Sequence, residues 1–430
     1  MVAGVLVSWG CVVSGAQAES LKTAVVDVLA TNPQIQAAEK ALAASEAAIT
    51  GARSGYLPSV RVFGDTGWEN IDSPTRRAIG LDDFSGRRET GGVTITQNLF
   101  NGYATDSSVE AAKLSHAASE FALRNVRQTV LLEAITAHAE VLRAAHLVEL
   151  GRDNERNIMD QMRLEDERVR RGKGLTVDVL QAKQRLQVAK ERRVAYEGSL
   201  AAAIARYQRL FGQVPALQAM DELGSPAAAL PASLDAAVAA ATDANPSVKN
   251  TQTQIAIADQ RRRTAESEYY PALDLVGRAN YESDNNLVLG RRRDMAILLQ
   301  ARWELFSGYR TDAAVAQAAL NHAASQNNHA QTTRVVMEQT RAAWHALETA
   351  RQRLDLLENA VALAEEVWSA RRKQREAGAV TVMDVLDAES AIYSARINHV
   401  VATYDMKLAA YQLLFAMGML EPEVVAVAAN

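Results

Sequence analysis

The sequence predicts a mainly α-helical protein that also builds a membrane β-barrel, with long α-helical hairpins and four strands per chain. Three observations predict it. Two blocks, 75–214 and 272–421, contain no proline and are long enough for helical hairpins. Each half of the chain carries two segments of polar/apolar alternation. The whole order of motifs is written twice, in a unit of about 205 residues. Composition narrows the class further. Of 430 residues 48% are hydrophobic but only 5% aromatic, a balance suited to closely packed helices rather than thick cores. A net charge of −5 gives no bulk basicity for nucleic acid. Mean hydropathy is −0.13, and no run of about 18 apolar residues could form a membrane helix. A single cysteine rules out a disulfide framework.

The elements follow in order. Residues 1–18 read as a signal peptide: an apolar stretch from Val5 to Val13, then Ala16-Gln17-Ala18 as the cleavage site, with no basic residue ahead of it. Cys11 falls inside this segment. The remainder divides into repeats 19–225 and 226–430. Asn32-Pro33 matches Asn245-Pro246, Tyr56-Leu57-Pro58 matches Tyr269-Tyr270-Pro271, and Leu99-Phe100-Asn101-Gly102-Tyr103 matches Leu305-Phe306-Ser307-Gly308-Tyr309. Each repeat opens with one helix, 22–54 or 234–267, that ends at the Tyr-x-Pro element. Two strands follow. Val60, Val62 and Trp68 oppose Arg61, Asp65 and Glu69; Val93 and Ile95 oppose Thr94 and Thr96. In the second repeat Leu275, Gly277, Ala279 and Tyr281 oppose Asp274, Arg278 and Asn280, and Ile297 and Leu299 alternate with Leu298 and Gln300. Period two with aromatics at the ends suits a barrel between lipid and water, although a half-buried soluble sheet alternates the same way. Four strands cannot close a barrel, and open edges are not tolerated in lipid, so several copies must pool their strands. Spacing alone does not choose among two, three or four copies.

A long helix comes next, 104–170 or 310–376, on the order of 100 Å at 1.5 Å per residue. Val336, Thr340, Ala343, Leu347, Ala350, Leu354, Leu357, Val361, Ala364 and Trp368 form a seam with steps of three and four, as do Val130, Ala134, Ala137, Val141, Ala144 and Val148. A glycine-containing turn leads to a second helix, 178–211 or 384–416, and 212–231 links the repeats. At the turns Gly172 and Gly378 read as helix C-caps, and Thr381 with Asp384 has capping-box spacing. Asp178 and Asp384 also suit a helix start, whereas Asp387 has no such explanation. Arginines in Arg76-Arg77, Arg87-Arg88 and Arg291-Arg292-Arg293 are expected in loops between strands, offset by nearby acids. They read as solvated loop residues, with contact to lipopolysaccharide phosphates as the alternative. No Gly-x-Ser-x-Gly, phosphate loop or His-Glu-x-x-His occurs, so no catalytic residue, cofactor or metal is expected. His116 and His322, at duplicate positions, read as packing or solvent-facing.

Across essentially the whole chain after the signal, this pattern resembles the TolC family of outer-membrane efflux channels. The most specific element is the run Gly378-x-x-Thr381-x-x-Asp384-Val385-Leu386-Asp387-Ala388. The resemblance implies a homotrimer whose twelve strands form a barrel among outer-membrane lipids, above an α-helical tunnel that crosses the periplasm. It implies partners too: a periplasmic adaptor protein and an inner-membrane ABC or RND-type pump, with no nucleic acid. Asp384 and Asp387 would ring the periplasmic mouth. Arg375 and Val380 stand where the family prototype has its gating tyrosine and arginine, so a link between Arg375 and Asp178 is the expectation here. Gly172, Thr176, Gly378 and Thr381 would lie on the turns that meet the adaptor. The implied role is passive conduction, for type I protein secretion or for small-molecule efflux. The competing reading is a periplasmic coiled-coil adaptor, which should carry one hairpin flanked by soluble β-domains rather than two hairpins, each with its strand pair.

Overall fold

A computed structural model describes residues 21–80, 84–172, 175–285 and 288–428; the signal segment 1–18 and Cys11 lie outside the described residues. The first repeat runs α1 (Leu21–Thr31), α2 (Pro33–Arg53), β1 (Ser59–Ile71), α3 (Pro74–Ala78), β2 (Phe84–Asn101), α4 (Ala104–Arg170) and α5 (Thr176–Phe211). The second runs α6 (Leu234–Ala244), α7 (Pro246–Glu266), β3 (Ala272–Asn285), β4 (Val288–Arg302), α8 (Arg310–Glu376), α9 (Val382–Ala416) and α10 (Pro422–Ala428). Lengths repeat as well: α4 and α8 have 67 residues each, α2 and α7 have 21 each. Both long helices have the expected bounds. The single helix expected at the start of each repeat is instead two, because Pro33 and Pro246 have no N–H to donate and their rings exclude the carbonyl four residues back. Asn32 covers the new N-terminus, its Oδ1 accepting the Gln34 N–H at 2.8 Å.

The chain forms two compact units, each drawing on both repeats: one takes residues up to Ala37, Leu123–Pro246 and Thr333 onward, the other Ala38–Ala122 and Ser247–Thr332. The first is helical. Val130, Ala134, Ala137, Val141, Ala144 and Val148 are all buried, and every residue of the α8 seam from Val336 to Trp368 is buried or half-buried. The largest core cluster brings Leu21 and Val25 of α1 against Leu131 and Ile135 of α4, Tyr411 and Leu414 of α9, and Leu223, Leu420 and Val425. Tyr411 is fully buried and donates to the Gly224 carbonyl at 3.2 Å; burial pushes its hydroxyl up to about 12.

The second unit holds the sheet, an antiparallel meander in the order β1-β2-β3-β4. Register puts Val62, Val93, Ala279 and Met295 in one row across all four strands, and Val60, Ile95, Gly277 and Ile297 in the next. This apolar face is exposed in the single chain: Val62 is 73% accessible, Met295 87% and Ile297 82%. The opposite face is polar and tied together by side chains. Thr90 donates to Asp65 at 2.6 Å, Asn98 to Asp274 at 2.9 Å and Asn280 to Asp294 at 3.1 Å. β1 and β4 each present a free edge. Of the arginine runs expected in loops between strands, Arg76-Arg77 lie in the β1–β2 connection, on α3, whereas Arg87-Arg88 belong to β2 and Arg291-Arg292-Arg293 to β4. The strands have 13 to 18 residues, more than the roughly 9–11 that cross a hydrocarbon layer, so they continue past their apolar band.

Each strand pair hands over to its long helix through a glycine and a tyrosine with positive φ: Gly102 (+65°) and Tyr103 (+67°), then Gly308 (+64°) and Tyr309 (+64°). The tyrosines hold this left-handed backbone while stacking edge-on against Phe100 and Phe306, at 5.5 and 5.7 Å. A Cβ on Gly102 would lie 2.5 Å from the Ser267 carbonyl oxygen, whereas at Gly308 it would meet open space. Gly308→Ala should therefore cost about 1 kcal/mol for backbone strain alone. Gly102→Ala should cost roughly 2 kcal/mol more for the collision, read as the midpoint difference in thermal or denaturant unfolding.

Candidate functional site

The helical turns lie within the helical unit. α4 and α8 stop where Gly172 (φ +73°) and Gly378 (φ +76°) take up the left-handed conformation. At the second turn the Gly378 N–H donates to the Arg375 carbonyl at 3.0 Å and the Ala379 N–H to the Gln374 carbonyl at 2.9 Å. α9 then opens with a complete capping box. Thr381 donates its N–H (2.8 Å) and hydroxyl (2.6 Å) to Asp384 Oδ2, and the Asp384 N–H donates to Thr381 Oγ1 at 3.3 Å. These bonds, the hydroxyl's first, hold the Asp384 carboxyl below the usual aspartate range. The first turn has no such box. Leu175 occupies the N-cap of α5 and offers no side-chain acceptor, while Thr176 is the first helical residue.

Six of the eight residues singled out from sequence line one open cavity of about 690 Å³: Gly172, Asp178, Arg375, Gly378, Thr381 and Asp384. Thr176 and Asp387 are not among its lining. The expected link from Arg375 to Asp178 is not formed. Arg375 instead donates to both oxygens of Glu165, at 3.2 and 3.3 Å, and to the Val380 carbonyl at 3.2 Å. Glu165 also takes Arg168 at 2.7 Å, and its side chain is only 3% exposed. The buried carboxylate on α4 wins the guanidinium because it is desolvated and needs compensation more than the less buried Asp178 does. Asp387, unexplained by capping, is ion-paired with Arg185 of α5. Beneath this pair Ala182, Val382 and Leu386 pack α5 against α9.

Sequence reasoning missed Glu165, Arg185 and Glu389. Two of them carried a readable signal. Ile158, Met162, Glu165 and Val169 fall on one stripe, as do Val382, Leu386, Glu389 and Tyr393, so each acid occupies a seam position among apolar neighbours. Glu389 is 2% exposed and its Oε2 finds no partner among the described residues. Burial pushes this carboxyl up to about 7, against the opposing pull of Arg372. One turn on, Tyr393 accepts a hydrogen bond from the Asn157 amide at 2.6 Å. Among the described residues no group of three or more His, Cys, Asp or Glu side chains could hold a metal ion. No helix of the described residues is long and apolar enough to cross a membrane.

The family model described as Outer membrane efflux protein matches residues 24–213 and 237–419. Among curated proteins, the chain is similar to the outer membrane efflux protein BepC of Brucella suis, 26% identical over 427 residues, covering 97% of this chain and 90% of that one. It is also similar to the alkaline protease secretion protein AprF of Pseudomonas aeruginosa, 26% identical over 411 residues and covering 94% and 85%. Among solved structures it has the fold of the outer membrane protein VceC from Vibrio cholerae, with a TM-score of 0.79 at 17% identity over 93% of this chain and 97% of that one.

Two measurements check the turn. Arg375→Ala leaves the buried Glu165 with Arg168 alone and should cost about 2 kcal/mol, whereas Asp178→Ala should stay within about 0.5 kcal/mol; thermal unfolding reads both. The raised Glu389 carboxyl predicts a pH dependence of unusual sign for an acid. Its contribution to stability is full below the ordinary glutamate value of 4.5 and is lost as pH rises through about 7. Amide exchange in α9, corrected for intrinsic rates, should quicken between about pH 5 and 8 in the native chain and stay flat in Glu389→Gln.

Proposed function

The chain belongs to the outer membrane efflux protein family, and on that premise we propose that it is the exit duct of a tripartite efflux or type I secretion system. Three copies assemble, their sheets joining edge to edge into a twelve-stranded barrel in the outer membrane while the helical hairpins extend into the periplasm. The observation that carries this is the sheet: four strands, a free edge at β1 and another at β4, and an apolar face exposed along its whole width. In lipid every backbone polar group must be paired, so such a sheet is stable there only when copies close it. Conduction is passive. An inner-membrane pump of the ABC or RND type supplies the energy, and a periplasmic adaptor docks on the turns around Gly172, Thr176, Gly378 and Thr381. Relatives named for efflux and for protease secretion support both uses of the duct.

At the periplasmic mouth the two aspartates of α9 act differently. Asp387 is compensated within its own chain by Arg185, whereas Asp384, held ionised by its cap, contributes net negative charge. Arg375 acts as a strut to Glu165. The test is reconstitution of the full chain in planar bilayers after checking that it migrates as a heat-modifiable trimer. A salt gradient should show cation preference. Asp384→Asn should reduce it roughly severalfold, and Asp387→Asn, which frees Arg185, should reduce it at least as much. Loss of Arg185 instead (Arg185→Gln) should raise it. A soluble monomer without channel activity would overturn the reading.

A further inference from the structure

The arginines of the sheet occupy both of its faces, and two of those on the apolar face stand without an acid. On the polar face Arg88 lies 3.2 Å from Asp65 and Arg292 lies 3.8 Å from Asp294. Arg61, Arg278 and Arg302 occupy the same water-side face with no carboxylate in ion-pair range among the described residues. Arg291 and Arg293 alternate with Arg292 and so share the opposite, apolar face with Met295, Ile297 and Leu299. Both are exposed, and among the described residues no carboxylate reaches either of them. Their rows are set by register. Arg293 continues Gly64, Gly91 and Tyr281; Arg291 continues Thr66, Glu89 and Ser283; Trp68 and Arg87 stand one row further out. Arg87 already has Glu89, at 3.1 Å. On this face, then, an apolar band gives way abruptly to two uncompensated guanidinium groups beside Tyr281.

The distance along the strand fits a headgroup. From Trp303, just past the helix-side end of β4, to Arg293 is roughly ten residues, about 33 Å of strand, or about 25 Å along the membrane normal at a tilt of ~40°. That is the height of a barrel's apolar belt, with Trp303 at one margin and Tyr281 and Trp68 at the other. The arginines lie at the strand end away from α4 and α8, which is the outer margin. Guanidinium groups there are unfavourable against acyl chains but well matched to phosphate, which they bind with two parallel charge-assisted hydrogen bonds.

We propose that Arg291 and Arg293 form a phosphate-binding site on the lipid-facing surface of the barrel, occupied by the phosphorylated glycolipid of the outer leaflet. The inference rests on the outer-membrane reading above. It concerns what the barrel binds around itself rather than what it conducts, and charge complementarity with apolar continuity below names the occupant.

The experiment uses the full-length protein in phosphatidylcholine vesicles doped with either bis-phosphorylated lipid A or the same glycolipid after enzymatic dephosphorylation. Glycolipid retained on the extracted trimer is quantified by native mass spectrometry. The native chain should retain the phosphorylated form about tenfold or more in preference. The pair Arg291→Gln and Arg293→Gln should abolish that preference, Arg291→Lys with Arg293→Lys should restore part of it, and Arg292→Gln on the polar face should leave it intact. Equal retention of both glycolipids by the native chain, or equal loss in Arg292→Gln, would overturn the site. Retention of inorganic phosphate in place of either glycolipid, once the chain is in the vesicles, would overturn the lipid as its occupant. A native chain that enters no vesicle would overturn the membrane reading itself, and is distinguishable because nothing is then retained at all.

Discussion

Lipid offers no hydrogen bonds, and that constraint governs everything else in this protein. A sheet of four strands leaves two rows of backbone N–H and C=O groups unpaired, at β1 and at β4. In water such edges are an aggregation hazard; in a membrane they are untenable unless other copies pair with them. The single chain is therefore an incomplete object by design. Its most exposed large side chains, Met295 and Ile297 among them, are those that a bilayer would cover. Two duplicated repeats supply two hairpins of strand, and closing the barrel falls to assembly.

The helical unit solves a different problem. With few aromatic residues, it obtains its packing from seams of Ala, Val and Leu at steps of three and four, which let helices approach closely. A seam this uniform specifies register weakly, and the charges set into it supply what alanine cannot. Glu165, buried on α4, pairs with Arg168 on its own helix and with Arg375 at the end of α8. Such a pair adds little net stability, because its desolvation offsets most of its attraction, but it penalises slipped alignments that would leave a buried charge alone. Glu389, buried without a full set of partners, stays close to neutrality instead. Two helices, α4 and α9, thus use two answers to a buried carboxyl: pairing and protonation.

The turns show how far a local code reaches. Gly378, Thr381 and Asp384 behave as their spacing says, because a left-handed C-cap and a capping box are made by residues within a few positions of one another. The first turn lacks the box because Leu175 stands where the second has Thr381. Arg375 was legible as a residue of interest but not in its partner. Choosing between Asp178 and Glu165 requires knowing which of them is buried, and burial is decided by elements distant in sequence. Asp387 was conspicuous because no local rule explained it. Its explanation is Arg185, contributed by another helix.

By itself the sequence determined the class of the protein: the bounds of both 67-residue helices, the seams, the alternation of the strands and the caps. These are properties of residue period and of contacts within a turn or two, where the physics is local. It misjudged where strands end, because backbone pairing extends them past the apolar band that marks them in sequence, and this moved Arg291 and Arg293 from an expected loop onto a strand. Only the tertiary structure decided which face each arginine occupies, which acid each guanidinium meets, and which carboxyls lose their water. Those outcomes depend on register and burial, set by segments roughly two hundred residues apart, and no window along the chain contains both partners.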